Sequence, residues 1–133
     1  MSNQTYVALL RGINVGGHHK VPMKQLSEEF KKEGYSNITT ILNSGNIIFD
    51  GPVAAVTEHE DKLKLHLEKV FDFPIPVLIR TGAEIVSLLN ANPFDGIVVT
   101  KDIRLYVSFL KECWLLLFLL LHVLTYMFCY SFK

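Results

Sequence analysis

Along the chain the hydrophobic positions change period, and each change marks an element. Tyr6 to Leu10 (YVALL) is a short unbroken apolar run that ends at Arg11 and the loop GINVGGHHK, the pattern of a buried central strand. Pro22 suits the first turn of a helix, where its missing N–H costs nothing. Met23, Leu26 and Phe30 then recur on one face, with Glu28, Glu29, Lys31 and Lys32 off it, and Gly34 supplies the C-terminal cap. Asn37 to Asn43 and Asn46 to Phe49 are strand-like, with Ser44-Gly45 as a tight two-residue hairpin between them. After Asp50-Gly51-Pro52 the stripe Val56, Leu63, Leu67, Val70 and Phe71 predicts a second helix over 56–71. Its solvated side carries Glu58, Glu60, Asp61, Lys62, Lys64, Glu68 and Lys69. Val77 to Arg80 reads as a strand, and Thr81 with Glu84 forms a capping box before Ile85, Leu88 and Leu89. That third helix ends before Asn92-Pro93, and Ile103, Leu105, Val107 and Phe109 alternate as in a half-buried strand.

The order β-α-β-β-α-β, followed by a helix and a strand, predicts the α+β class with a ferredoxin-like split unit. The expected organisation is a ferredoxin-like unit at 1–80, the start of a second α/β unit at 81–110 and an apolar tail at 111–133. In such a sheet the first two strands run toward the same end. The loop after the first strand, the start of the first helix and the hairpin near Ser44 would therefore meet there.

Four segments, YVALLRGINVGG at 6–17, KVPM at 20–23, NSGNIIF at 43–49 and NPF at 92–94, resemble in order and spacing a bacterial family of uncharacterised proteins, domain of unknown function 1697. The resemblance runs from about residue 5 to 110. It implies an α+β fold of ferredoxin-like units, the second beginning near the strand at 103–110, and no established activity. His18-His19 departs from the more usual polar or basic pair before Lys20, and the sequence beyond Leu110 leaves the pattern.

Composition adds a contrast between parts of the chain. Half of all residues are hydrophobic, but this average mixes an ordinary soluble domain with the block from Cys113 to Phe132, where only His122, Thr125 and Ser131 are not apolar. With 13 basic and 13 acidic residues the chain has no bulk attraction to nucleic acid. Tyr6 and Phe49 could stack bases on the two central strands, but the basic-aromatic octet of RNA-binding sheets is absent and core packing is the plainer reading. Both cysteines, Cys113 and Cys129, lie in the apolar block, so the rest has neither a disulfide framework nor a cysteine zinc site. The start, Met-Ser-Asn-Gln-Thr, lacks a basic region followed by an apolar run, which predicts a cytoplasmic domain without a secretory signal.

Candidate chemistry concentrates in the loop from Arg11 to Lys20. Glycines let backbone amides approach a ligand, and a helix N-terminus favours an anion. Arg11 and Lys20 would add charge, Gly16 and Gly17 close approach, and Asn14, Asn43, Ser44 and Asn46 hydrogen bonds. The expectation is a small-anion-binding module without established activity. One alternative is an enzyme acting on a phosphorylated or carboxylated metabolite at the same place; another is a membrane-tethered interaction domain. The loop is neither a Walker loop nor a dinucleotide fingerprint, and no cofactor is implied. The competing reading is that glycine and asparagine only make turns and that Arg11 pairs with a carboxylate such as Asp50. His18, His19, His59 and His66 read as surface groups, because no converging set of metal ligands surrounds them. Ser44 lacks the elbow motif of a nucleophile.

The block at 113–132 is long enough, at about 1.5 Å per helical residue, to span the hydrocarbon core of a bilayer. As an apolar helix it is a candidate membrane anchor, flanked by Lys111 and Lys133. It also begins abruptly inside an unfinished second unit, which favours an out-of-frame or truncated C-terminus over an anchor.

Overall fold

The computed structural model describes residues 2–103, 105–111 and 127–130. It divides into two compact units, Met1–Val86 and Ser87–Lys133. The elements run β1 (Asn3–Leu10), α1 (Met23–Lys32), β2 (Ser36–Ile41), β3 (Asn46–Pro52), α2 (Val56–Phe71), β4 (Val77–Thr81), α3 (Gly82–Ala91), β5 (Tyr106–Phe109) and β6 (Met127–Tyr130). Among the described residues the fold is thus mixed α/β, with three helices and a four-stranded antiparallel sheet of order β2-β3-β1-β4.

Strand alternation sets the core. Tyr6 lies opposite Phe49, and Ala8 opposite both Ile47 and Ile79, so these side chains share one face of the sheet. All five are fully buried, together with Leu26 and Phe30 of α1, Leu63 and Leu67 of α2 and Ile75 from the segment before β4. Burying a side chain of this size contributes about 1.5–3 kcal/mol each, which is why the apolar stripes of α1 and α2 face inward.

Gly34 ends α1 as expected. At φ +90° it lets its own N–H reach the Lys31 carbonyl (3.0 Å) and the Tyr35 N–H reach that of Phe30 (3.2 Å), a Schellman arrangement. The Phe30 and Tyr35 rings, from the two residues joined by that second bond, lie 5.9 Å apart. The capping box forms too: Thr81 N–H donates to Glu84 Oε2 (2.7 Å) and Glu84 N–H to Thr81 Oγ1 (3.2 Å).

Several expectations need correction. The hairpin is not a two-residue turn. Ile41 pairs directly with Asn46, leaving a four-residue connection from Leu42 to Gly45 with positive φ at both of its ends. Glu29, Glu60 and His59 are not on solvated faces but buried, because each meets a partner from a distant element. Glu29 holds Lys32 (2.7 Å) and His66 (2.8 Å), and Glu60 accepts the Ile79 N–H (2.8 Å). His59 Nε2–H donates to the Pro52 carbonyl (3.1 Å), which leaves Nδ1 to accept from the Tyr35 hydroxyl (2.8 Å). His66 is half-buried between Glu29 and Glu33.

In the second unit the strand expected over 103–110 is shorter, Tyr106–Phe109, and pairs in parallel with β6. The apolar C-terminal helix is therefore not found at Met127–Tyr130, where the backbone is extended and laddered. The rest of the 113–132 block lies outside the described residues. Among the described residues no helix is long and apolar enough to cross a membrane.

Candidate functional site

The loop after β1 is folded by its own backbone. Asn14 N–H donates to the His19 carbonyl (3.0 Å) and His18 N–H to that of Val15 (3.1 Å), a small hairpin whose tip is Gly16-Gly17. Both tip glycines have positive φ, +60° and +78°, the sign pattern of a type I′ turn. Gly16 and Gly17 thus make the turn at the tip, which is exposed.

Asn14 fixes this hairpin to the body. Its Oδ1 accepts the Val21 N–H (2.8 Å), and its Nδ2 donates to the carbonyls of Val21 and Asn43, both at 3.0 Å. Every proton of that carboxamide is therefore spent within the protein, so Asn14 positions the loop instead of offering a donor. The Asn43 end is tied a second time, by Leu10 N–H to the Gly45 carbonyl (3.0 Å). Gly45 is buried so tightly that a Cβ there would stand 2.7 Å from Ile13 Cδ1 and 2.9 Å from Leu10 Cβ.

Of the other expected site residues, Arg11, Gly16, Gly17, Lys20, Asn43 and Ser44 are exposed, and Asn46 is half-buried in the ladder. The Ser44 hydroxyl donates to the Ile41 carbonyl (3.4 Å), serving the turn. Arg11 does not pair with Asp50. Asp50 lies opposite Thr5, toward the other end of β1, and accepts from Asn37 Nδ2 (2.8 Å) and Thr5 Oγ1 (2.6 Å). Those two hydrogen bonds hold its carboxyl below the usual carboxylate value. Among the described residues Arg11 makes no ion pair.

A third segment joins the site that sequence reading did not assign to it, the connection between α2 and β4. Arg11 N–H donates to the Pro76 carbonyl (3.1 Å), and the His19 ring stacks on Phe73 with centroids 4.3 Å apart and planes 17° apart. His19 Nδ1 also faces the Gly12 carbonyl at 3.3 Å, so this nitrogen carries the proton. The only hint in the sequence was that the loop at 72–76 connects two elements ending at this side of the sheet.

Charge at this end departs from the neutral average. No Asp or Glu precedes Glu28, and none occurs from Asn37 to Phe49, whereas Arg11, Lys20 and Lys24 all fall in these stretches. Helix α1 begins after Pro22 with no side-chain cap and no acid in its first turn, so no carboxylate of its own first turn offsets its leading amides and positive dipole end. In the third segment Asp72 directly precedes Phe73 in the chain.

Comparisons with known proteins agree with the fold. A family model described as "Protein of unknown function (DUF1697)" matches residues 3–114. A solved structure of a conserved bacterial protein from Streptococcus pneumoniae is similar over 67% of this chain, with 27% identity and a TM-score of 0.59. This chain spans 48% of that protein's chain. No curated protein matches.

Proposed function

The chain belongs to the DUF1697 family of proteins of unknown function, and on that premise we propose that its first unit is a ferredoxin-like domain that binds a small anion where the 11–20 loop, the start of α1 and the 42–45 hairpin converge. The ferredoxin-like reading is supported by the strand order β2-β3-β1-β4 with every pair antiparallel and both crossovers helical. The binding reading rests on one observation: Arg11, Lys20 and Lys24 fall in stretches of the chain without Asp or Glu, next to a helix that starts with no side-chain cap and no acid in its first turn. Anions are favoured there by the unpaired amides and by the dipole.

In this reading Arg11 and Lys20 supply charge, Gly16 and Gly17 supply backbone approach, and Ser44 and Asn46 face the anion from the hairpin side. Asn14 and the Asn43 carbonyl hold the two sides together. Thermal melting of the full chain with inorganic phosphate and with citrate tests it. At ten times its Kd an anion adds about 1.4 kcal/mol, a rise of several degrees for a unit of this size. Arg11→Ala or Lys20→Ala should abolish most of the rise, whereas Lys64→Ala, on the exposed side of α2, should leave it intact. An absent response to every anion, or equal responses in all three variants, would refute the proposal.

A further inference from the structure

We infer that the anion taken by this loop carries a flat heteroaromatic ring, as a nucleoside monophosphate does, and that the ring stacks on His19. The inference rests on the anion reading and adds the class of ligand.

It starts from an exposed side chain held more firmly than its position requires. A surface histidine ordinarily samples several rotamers, and ordering one costs conformational entropy. Here the His19 backbone is fixed at φ +50° by the bond from Asn14 N–H to the His19 carbonyl. The ring is fixed by its Nδ1 bond to Gly12 and by a near-parallel stack on Phe73. Phe73 is itself packed against the core, 6.4 Å from the Phe71 ring. One face of the imidazole is thus backed by a buttressed aromatic. The residue is exposed, and among the described residues no other ring meets it.

The surroundings match such a ligand. Lys20 follows His19 directly, and Arg11 precedes the Gly12 whose carbonyl holds the ring. An aromatic plate and two cations therefore come from the same knot of backbone. That combination suits a molecule with a flat ring at one end and an anionic group at the other; a bare phosphate would use only the cations. Stacking of a base on an aromatic side chain is sequence-tolerant and makes binding about 5- to 150-fold tighter.

Titration of the full chain by calorimetry with adenosine monophosphate and with ribose 5-phosphate separates the two readings. Adenosine monophosphate should bind about 5- to 150-fold more tightly, and its adenine protons should move upfield in the NMR spectrum on binding. The variant His19→Asn keeps a residue that tolerates positive φ and an amide able to reach the Gly12 carbonyl, but loses the ring. It should bind adenosine monophosphate no better than ribose 5-phosphate while its affinity for the latter is unchanged, which also reports that the loop is folded. Equal affinities in the unaltered chain would overturn the stacking inference and leave the anion reading standing. Failure of both ligands would overturn both. A single-stranded oligoadenylate binding more tightly per nucleotide than the monophosphate would replace the mononucleotide with a strand and overturn the assignment.

Discussion

At Gly45 the hairpin passes so close to β1 and the following loop that hydrogen is the only side chain with room. The backbone is at φ +84°, and a methyl group would meet both Ile13 and Leu10 inside contact distance. Gly45→Ala combines the left-handed penalty, about 1–2 kcal/mol, with overpacking of about 1–3 kcal/mol, for an expected loss of about 2–5 kcal/mol. Urea denaturation should show a lower midpoint with an unchanged slope. A loss below about 0.5 kcal/mol, the scale of an ordinary surface substitution, would show that the approach is not so close. Gly45 was legible in the sequence as a turn residue, but its contact with Ile13 was not. Asn14 is similar: its type marked a loop, while its partner, the Asn43 carbonyl, lies 29 residues away. Side-chain bonds over such separations have no signature in local pattern.

Among the elements, the end of β4 and the start of α3 are joined by the reciprocal bonds of Thr81 and Glu84, which spacing alone predicts because both partners lie within one helical turn. Thr81→Ala should cost about 1 kcal/mol and Thr81→Ser much less, since the serine hydroxyl can still accept the Glu84 N–H. Amide hydrogen exchange of the first turn of α3 would show it: equal protection in the two variants would mean that the box does not hold the helix start. The bounds of α2 were equally legible from its stripe, but the burial of His59 and Glu60 was not. Periodicity locates the centre of a buried face, and only the neighbouring elements decide how far round the helix burial extends. Glu60 takes the Ile79 N–H of β4, a strand at the edge of the sheet, and Arg80 Nη1 donates to the Ile79 carbonyl (2.8 Å). Both backbone groups of Ile79 are thereby withheld from edge pairing.

For the molecule, pH dependence follows from groups whose ionisation the fold alters. Burial, with smaller contributions from Glu33 and Tyr6, pushes the Tyr35 phenol up from 10.0 to about 12. Its neutral form is favoured in the folded state, so the associated stability is complete below pH 10 and is lost as pH rises toward 12. Tyr35→Phe should remove that part of the alkaline decline in the urea midpoint. A decline of the same size in the variant would assign it to other groups. Glu29 acts at the other extreme. Its hydrogen bond from Lys32, helped by His66 and opposed by burial, holds its carboxyl below the ordinary value, so its contribution is present above the usual carboxylate range and fades as acid protonates it.

What the sequence determined by itself is the set of elements in the first unit and their order, because apolar period, caps and turn residues are local and each is set within a few positions. It also determined that the loop at 11–20 and the hairpin near Ser44 belong to one end of the sheet, since strand direction follows from element order. Tertiary structure alone decided that Asn14 is a clamp, that the 72–76 connection brings Phe73 under His19, and that Glu29, His59 and Glu60 are internal. In the apolar block it decided that Met127–Tyr130 forms a strand beside β5, a pairing that a uniformly hydrophobic run leaves open. The physical reason is common to all of these: a residue's type restricts the bonds it can make, whereas the partner that arrives from elsewhere in the chain determines which of them it does make.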